Sequence, residues 1–250
     1  MRRTFSCFDL VIHGFGWDGT WDCIQANLKE GRPTWIVTAN PEILLAAQWE
    51  VSYWETLRWA DLRLVDGFGL KLAGIASGAW PKRYAGVALA EDLAAKAVSM
   101  GWTVGLIGGG PGIAEKAAKA LRSRYPRLSI VARQGGRVAM DGMGNDENRA
   151  DRDALVAAQP DILLVAFGHP RQERWIVKYR ELFPSVRVFV GVGGTFDFWA
   201  GAASRAPKPL RAVGMEWLWR LFQAPKERVQ RIVDAIWRFP LAWAKWRAGK

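Results

Sequence analysis

Residues 163–176 have the sequence LLVAFGHPRQERWI, which changes from a wholly apolar run into a cluster of polar and charged side chains. A continuous apolar run of this length is typical of a strand that is buried on both faces, as in a parallel sheet covered by helices. The polar residues begin where such a strand leaves the core. Since ligands of open α/β sheets bind outside the carboxyl ends of the strands, this stretch predicts both a fold and the edge that carries its site.

The same pattern recurs along the chain, with helical periodicity between the apolar runs. We predict strands at 8–12, 34–38, 62–65, 102–107, 128–132, 161–167 and 187–192. Asn40-Pro41-Glu42 has the order of an N-cap, a first-turn proline and a first-turn acid, and predicts one helix through residue 57. Pro111 predicts the start of another helix. The alternation predicts an α/β protein with a Rossmann-like, mostly parallel sheet and helices on both faces.

Near residues 195–210 this alternation gives way to Gly, Ala, Pro and Lys, and then to aromatic, basic helical patterns. We therefore divide the chain into a Rossmann-like catalytic domain, 1–197, and a C-terminal helical appendage, 198–250. The formal net charge is +11, and residues 201–250 account for +8 of it with 11 basic against 3 acidic side chains. This imbalance predicts an anionic partner, which is a nucleic acid, a phosphorylated ligand or an acidic membrane surface.

Residues 228–239 form the most distinctive part of the appendage. Their apolar stripe consists of Val229, Ile232, Val233 and Ile236, with Trp237 beside it and Arg228, Arg231 and Arg238 off it. A basic, tryptophan-bearing amphipathic helix favours the headgroup region of an anionic membrane over the alternative, a helix docked on the sheet. No apolar stretch reaches the roughly 18 residues needed to span a bilayer, and two cysteines are too few for a disulfide framework. We expect a cytoplasmic protein with peripheral membrane contact.

The glycine cluster at 108–112 lies between a predicted strand and a predicted helix, where backbone N–H groups and a helix N-terminus can face a pyrophosphate. A tight turn without a ligand is the alternative. The cluster does not match the Gly-x-Gly-x-x-Gly dinucleotide fingerprint, and the next strand ends in Arg133 instead of an acid. Arg171 and Gln172 suit phosphate or sugar hydroxyls, whereas His13 and His169 are expected to be structural.

Asp66 directly follows a predicted strand and precedes Gly67, so its carboxylate can act as a general base on a sugar hydroxyl, although an Asx turn suits it equally. Asn40 suits a helix cap better than a ligand contact. Asp151-Arg152-Asp153 has the Asp-x-Asp spacing of many metal-dependent nucleotide-sugar enzymes, but it does not follow a strand, which favours first-turn acids of a helix. We predict no metal and no cofactor.

Taken in order, these motifs resemble those of the WecG/TagA/CpsF glycosyltransferase family, glycosyltransferase family 26. The resemblance rests on TANPE at 38–42, DGFG at 66–69, GGGPG at 108–112, PDIL at 160–163 with GHPRQE at 168–173, GVGGTFD at 191–197, and RAP at 205–207 with Glu216-Trp217. It covers about residues 8–235. The tryptophan-rich tail beyond residue 235 is not matched.

The resemblance implies a bacterial, metal-independent, inverting transferase that moves a sugar from a UDP-sugar to a sugar-diphosphate-polyprenol at the inner membrane leaflet. It implies that Asp66 is the general base and that appendage arginines reach the nucleotide diphosphate. The candidates for that contact are Arg205, Arg211 and Arg220. The full set of expected substrate-binding residues is Thr38, Asn40, Gly108, Gly109, Gly110, Gly112, Arg133, Arg171, Gln172, Gly193 and Gly194.

We expect a hexose or N-acetylhexosamine donor, an undecaprenyl diphosphate-linked acceptor, and a role in surface polysaccharide or exopolysaccharide assembly. Two other classes use parts of the same pattern. An NAD(P)-dependent oxidoreductase would share the sheet, but the fingerprint fails and no Tyr-Lys or His pair is poised for catalysis. A nucleic-acid-binding module would explain the basic, aromatic tail. We favour the transferase and expect no nucleic-acid partner; a homo-oligomer is compatible with the sequence.

Overall fold

A computed structural model describes residues 3–204, 207, 219 and 233–249. In this part of the chain, eight strands form a sheet in the order β1-β2-β4-β3-β8-β7-β5-β6. The strands are β1 (Thr4–Cys7), β2 (Leu10–His13), β3 (Thr34–Ala39), β4 (Leu62–Val65), β5 (Thr103–Gly108), β6 (Ser129–Arg133), β7 (Ile162–Ala166) and β8 (Val188–Gly191). All neighbours pair in parallel except β1 with β2, which confirms the predicted mostly parallel sheet.

Helices connect the strands and cover the sheet. They are α1 (Trp17–Lys29), α2 (Pro41–Trp49), α3 (Val51–Arg58), α4 (Phe68–Ala76), α5 (Gly86–Met100), α6 (Ile113–Arg124), α7 (Asp146–Ala157), α8 (Arg171–Tyr179), α9 (Thr195–Trp199) and α10 (Phe239–Ala248). A 3-10 turn, Arg180–Leu182, follows α8, and a π-helical turn, Asp234–Arg238, precedes α10.

Alternate residues of the central strands enter two separate cores. Trp35 and Val37 of β3 point into one core, and Ile36 between them points into the other. The first core contains side chains of α2, α3, α4, α7, α8 and α10, and the second contains those of α1, α5, α6 and α9. The central strands are therefore buried on both faces, which explains why their sequences are mainly apolar.

A crevice forms where the connections after neighbouring strands diverge. The chain leaves β5 through α6 toward the outer strand β6, whereas it leaves β7 through α8 toward β8. Helices α6 and α8 lie on opposite faces of the sheet. Such a divergence opens a space between adjacent strand ends, which is the usual ligand-binding position in open α/β sheets.

The strand predicted at 8–12 begins two residues too early, because the chain turns sharply at Phe8 and Asp9 before β2. Phe8 and Asp9 have positive φ angles of 50° and 62°, and they join β1 and β2 into an antiparallel hairpin at the edge of the sheet. Phe8 is buried in the core at this turn. Burial of the Phe8 ring stabilises this left-handed backbone conformation, which residues other than glycine rarely adopt.

Three helix predictions also require correction. The single helix predicted through residue 57 is broken at Glu50, which is extended with φ −131° and ψ 102° and separates α2 from α3. Helix α6 starts at Ile113 and not at Pro111, because Gly112 adopts the left-handed conformation at its N-cap. Asp151 lies in the interior of α7, whose first-turn acids are Asp146 and Glu147.

The C-terminal helix α10 packs against the first core. Phe239 is buried in the first core, and the Phe8 ring contacts Phe239 and Trp246 at centroid distances of 6.0 and 5.8 Å. The indole Nε1 of Trp246 donates a hydrogen bond to Asp9 Oδ2 at 3.1 Å. Residues 233–249 are therefore docked through one face, and their contact with a membrane stays a prediction; the earlier part of the predicted stripe lies outside the described residues.

One prediction about organisation is not tested by the fold. Helix α9 spans the predicted domain boundary at 197/198, and the division of the chain stays a prediction. Among the described helices, none combines the length and the apolar character that crossing a bilayer requires.

Candidate active site

An open cavity of about 540 Å³ lies at the crevice between the carboxyl ends of β5, β7 and β8. Its lining consists of Gly109, Gly110, Gly136, Arg137, Val138, Ala166, Phe167, Gly168, Arg171, Gly193, Gly194 and Asp197. Five of the predicted substrate-binding residues meet here, which are Gly109, Gly110, Arg171, Gly193 and Gly194. They come from loops that follow three different strands.

The glycine loop after β5 owes its path to a close backbone approach. Gly108 has a φ of 109°, and a Cβ at this position would lie 2.8 Å from the carbonyl carbon and oxygen of Ala166. The next N–H, that of Gly109, donates a hydrogen bond to Ala166 O at 3.0 Å. The glycines therefore hold the loop flat against the end of β7 and leave space in front of it.

The cavity is suited to an anion. Helix α6 begins just after the glycine loop and α8 begins at Arg171, so the positive ends of two helix dipoles lie at its border. The guanidinium groups of Arg137 and Arg171 add positive charge, and Asp197 supplies one carboxylate. Arg171 Nε donates to the carbonyl of Phe167 at 3.1 Å, which orients the guanidinium group beside the cavity wall.

A second group of predicted residues lies at the ends of β3 and β4. The Asp66 N–H donates to Ala39 O at 2.7 Å, and Asp66 Oδ2 accepts a hydrogen bond from the Gly86 N–H at 3.2 Å. A Cβ on Gly86 would lie 3.2 Å from Thr38 Oγ1, so this glycine brings α5 close to β3. Asn40 caps α2 by accepting from the Ile43 N–H at 2.9 Å, as its sequence context predicts.

A buried network joins these two groups. Thr38 Oγ1 donates to Gly191 O at 3.2 Å, and Gln172 Oε1 accepts from the Gly193 N–H at 3.0 Å. Gln172 Nε2 donates in turn to Glu173 Oε1 at 2.7 Å. The loop after β8 is thus held from one side by β3 and from the other by α8.

Glu173 is the innermost member of this network. It is 1% exposed, and its Oε2 accepts a hydrogen bond from the Tyr53 hydroxyl at 3.1 Å. Burial raises the pKa of Glu173 above its ordinary value, although the hydrogen bond from Gln172 opposes the shift. Burial also raises the pKa of Tyr53 well above its ordinary value. Both groups therefore favour their neutral forms, and the network places a carboxyl group behind the amide that holds the β8 loop.

Asp66 does not line the cavity, and the sheet gives the separation between them. Strand β3 lies between β4, which carries Asp66, and β8, which ends at the cavity. Adjacent strands are about 4.8 Å apart, so the two strand ends are separated by roughly 10 Å. The carboxyl edge of the sheet thus presents an anion-suited cavity and, two strand positions away from β8, a carboxylate.

The remaining predicted residues lie elsewhere. Gly108 and Gly112 border the glycine loop without lining the cavity. Arg133 lies beside Asp151, with Nε 4.0 Å from Oδ1, and also does not line it. Arg205, Arg211 and Arg220 lie outside the described residues. Their contacts stay predictions, as does the contact of Arg133 with substrate.

Sequence reasoning missed two charged residues of the lining and one buried residue behind it. Arg137 follows Gly135-Gly136 after β6, and only the fold shows that this loop reaches the cavity. Asp197 lies within the GVGGTFD motif, and its place in that motif is a signal that could have identified it. Glu173 follows Gln172 in GHPRQE, but nothing local indicates that it is buried.

The two histidines take different positions. Burial and the nearby Arg63 lower the pKa of His13 to about 4, and its Nδ1 accepts a hydrogen bond from the Arg63 N–H at 3.1 Å, which is a structural role. His169 Nε2 lies 4.0 Å from Glu42 Oε2. Across the described ranges, no three His, Cys, Asp or Glu side chains gather in the way a metal site requires.

Comparison with known proteins identifies the family. The model of the glycosyl transferase WecG/TagA/CpsF family matches residues 5–250. The chain belongs to this family. The match extends through the tryptophan-rich tail, so the tail lies within the family's boundaries, contrary to the sequence analysis.

Individual members of the WecG/TagA/CpsF family match over most of their length. The chain is 32% identical over 224 residues to the N-acetylglucosaminyldiphosphoundecaprenol N-acetyl-beta-D-mannosaminyltransferase of Bacillus spizizenii, covering 87% of this chain and 84% of the relative. It is 33% identical over 212 residues to the protein of the same name from Staphylococcus aureus strain MW2, covering 84% and 80%. It is 30% identical over 191 residues to that of Bacillus subtilis strain 168, covering 76% and 72%. The chain is accordingly a glycosyltransferase.

Proposed function

We propose that this glycosyltransferase moves a hexose or N-acetylhexosamine from a UDP-sugar to a sugar on undecaprenyl diphosphate, by an inverting mechanism without a metal, in the assembly of a bacterial surface polysaccharide. The observation that carries the proposal is the spacing on one sheet edge of an anion-suited cavity and the Asp66 carboxylate. The names of the relatives specify a lipid-linked diphosphate acceptor and a transferred N-acetylhexosamine, which supports this assignment.

The cavity between β5, β7 and β8 is the proposed donor site. Its glycine-loop amides and helix N-termini suit the diphosphate, and Arg137 and Arg171 balance the negative charge that a metal would otherwise neutralise. The carboxylate of Asp197 can accept hydrogen bonds from ribose or sugar hydroxyls. Arg205, Arg211 and Arg220 are proposed to add further charge at the diphosphate.

Asp66 is the proposed general base. The acceptor hydroxyl attacks the anomeric carbon on the face opposite UDP, and its proton passes to the Asp66 carboxylate while the bond to UDP breaks. Donors fixed at the cavity stabilise the negative charge on the departing diphosphate. A single displacement inverts the anomeric configuration, and the β configuration in the relatives' name is the product expected from an α-linked donor.

The Thr38–Gly191 and Gln172–Gly193 hydrogen bonds have a proposed role in this reaction. They fix the β8 loop between the donor cavity and Asp66. The donor sugar must extend past this loop for its anomeric carbon to approach Asp66. We propose that this loop sets the angle at which the anomeric carbon faces the base. A membrane-embedded acceptor requires contact with a bilayer, and we propose peripheral association with the cytoplasmic face of the inner membrane.

The test is transfer of radiolabelled sugar from a panel of UDP-hexoses and UDP-N-acetylhexosamines to a polyprenyl-diphosphate-linked N-acetylglucosamine in detergent. Transfer from one donor, lost in Asp66→Asn, would identify the donor and support the base. UDP binding is measured in parallel by calorimetry. Absence of both transfer and UDP binding would refute the proposal, and binding of NADPH in place of UDP would support the oxidoreductase alternative.

A further inference from the structure

Glu173 is a buried ionisable side chain that the proposed reaction does not use. It lies in the first turn of α8, is 1% exposed and does not line the cavity. Its two oxygens accept hydrogen bonds from two different side chains, Oε1 from Gln172 Nε2 at 2.7 Å and Oε2 from the Tyr53 hydroxyl at 3.1 Å. Burying a carboxyl group costs free energy that an apolar side chain would not cost, so its presence behind the cavity calls for a further role.

The amide group of Gln172 has only two orientations open to it. Gln172 is 3% exposed and packs on the backbone of Gly191, where an added Cβ would lie 2.7 Å from Nε2. The amide therefore cannot swing aside, but it could turn over and exchange its oxygen and nitrogen. In the observed orientation Oε1 accepts from the Gly193 N–H at 3.0 Å. In the reversed orientation two donors would face each other at Gly193, and the loop would lose this hydrogen bond.

Glu173 selects the observed orientation. Its Oε1 is an acceptor and requires a donor opposite it, which only the amide nitrogen of Gln172 supplies. The amide oxygen must then face Gly193. The Tyr53 hydroxyl binds the other oxygen, Oε2, and leaves Oε1 to the amide. The carboxyl group thus determines which way Gln172 faces without itself reaching the cavity.

The loop after β8 depends on this orientation because it has no side chains to anchor it. Gly193 and Gly194 both line the cavity. Gly193 has a left-handed φ of 50°, and a Cβ added to it would meet no atom of the described residues within 4 Å. Hydrogen bonds, not packing, therefore hold this part of the loop. Thr38 fixes the carbonyl of Gly191 at the end of β8, and Gln172 fixes the loop two residues later.

We propose that Glu173 is a positioning residue of the transfer reaction, which orients the Gln172 amide so that this amide holds Gly193 beside the donor sugar. The consequence for catalysis rests on the proposed function. A misplacement of about 1 Å near a reacting atom can lower the rate about 100-fold. The proposed diphosphate contacts come from Arg137, Arg171 and the loop after β5, so kcat should depend on Glu173 more strongly than UDP binding does.

Substitution of Glu173 in the full-length protein is the first test. Glu173→Met nearly keeps the length of the side chain and removes the acceptor, so kcat should fall by about 10- to 100-fold. The dissociation constant for UDP, measured by calorimetry, should change less than about threefold. Burial raises the pKa of Glu173, so the carboxyl group is chemically close to a neutral amide. Glu173→Gln should therefore restore kcat to within about threefold of wild type.

Tyr53→Phe is the matched control, because it removes the other hydrogen bond of the same carboxyl group. It should lower Tm by about 2–4 °C and leave kcat unchanged. A merely structural role of Glu173 would instead make the losses of kcat follow the losses of Tm across these variants. Circular dichroism verifies folding. If Glu173→Met does not fold, Glu173→Asp replaces it, because it withdraws the acceptor by one methylene and should give an intermediate loss of kcat.

A double-mutant cycle tests whether Glu173 acts through Gln172. The double variant Gln172→Met/Glu173→Met should have the same kcat as Gln172→Met alone, because an absent amide needs no orientation. Losses of kcat that add up in the double variant would overturn the proposal.

Hydrogen exchange separates this proposal from the proposed function, since it needs no substrate. Backbone amides of residues 191–195 should exchange faster in Glu173→Met than in wild type, Glu173→Gln or Tyr53→Phe. If no form transfers sugar but this difference is observed, the positioning role stands and the transferase proposal fails. Wild-type exchange at residues 191–195 in Glu173→Met would overturn the positioning role, as would a wild-type kcat in that variant.

Discussion

The two halves of the sheet's carboxyl edge present different chemical groups. The β5, β7 and β8 half is made of glycine backbone, two helix N-termini and the guanidinium groups of Arg137 and Arg171. The β3 and β4 half holds Asp66 beside a helix whose outer face is apolar. The first half offers the positive charge and backbone N–H groups that suit an anion, and the second places a carboxylate beside exposed apolar side chains. One edge of the sheet thus carries two sites of different chemistry, with the β8 loop between them.

Removal of the carboxylate at Asp66 should have the largest effect. It should lower catalysis and leave UDP binding at the cavity nearly unchanged. Asp66→Asn keeps the size of the side chain and loses its basicity, so kcat should fall by about 10²- to 10⁴-fold. The dissociation constant for UDP, measured by calorimetry, should change less than about twofold because Asp66 does not line the cavity. A large loss of UDP affinity would show that the two halves are not separate.

Removal of an arginine from the cavity should give the opposite pattern. Arg171→Ala or Arg137→Ala removes a charged donor, and the dissociation constant for UDP should rise by about 10- to 100-fold. Arg124→Ala is the matched control, because Arg124 is at the far end of α6 and pairs with Glu91. Unchanged UDP binding in both cavity variants would place the nucleotide elsewhere.

Glu173 lies behind the loop that joins the halves, and its raised pKa predicts a pH dependence of stability. The folded protein holds this proton more tightly than the unfolded chain does, so stability falls as pH rises from the unfolded value toward the folded one and is then constant. Each pKa unit costs about 1.4 kcal/mol, and each kcal/mol lowers Tm by about 2–4 °C in a protein of this size.

Thermal unfolding of wild type and Glu173→Gln between pH 4 and 8 tests this dependence. The glutamine variant should lack this part of the decline, while a control at the exposed Glu115, Glu115→Gln, should follow wild type. Parallel curves for wild type and Glu173→Gln would contradict a raised pKa.

Substitution of Asn40 has the smallest predicted effect. It tests whether this residue, at the β3 end of the edge, only caps α2 or also contacts substrate. Asn40→Ala removes the cap of α2 and should lower stability by about 1 kcal/mol, whereas Asn40→Asp keeps a capping oxygen and should restore it. If Asn40 also contacts substrate, the aspartate variant should be stable but impaired in kcat or KM. Full activity in Asn40→Asp would limit the residue to capping.

Most of the fold could be predicted because long apolar runs decide it. Strand β7 is continuously apolar and β3 is mainly so, and the polar residues that follow them indicated which edge of the sheet carries the candidate site. The β1–β2 turn could not be predicted. Its positive φ angles at Phe8 and Asp9 are stabilised by burial of the Phe8 ring against residues far along the chain. The break at Glu50 likewise depends on partners from distant elements, including Arg174.

The site was predictable in part for the same reason. Glycine loops and Asp66 follow strands directly, so their position at the edge could be inferred from the strand pattern alone. Arg137 reaches the cavity only through the path of the β6–α7 loop, and Glu173 is buried only because α8 packs on α3. Their roles depend on how elements meet, which a single sequence does not specify.

The contact between the β1–β2 turn and α10 has a consequence for protein synthesis. Asp9 and Trp246 are 237 positions apart and joined by a hydrogen bond. A ribosome therefore releases the hairpin long before it makes the helix that covers Phe8. Until then the sheet has an uncovered aromatic side chain near its edge strand, and nascent chains stalled before residue 239 should be the form that recruits chaperones.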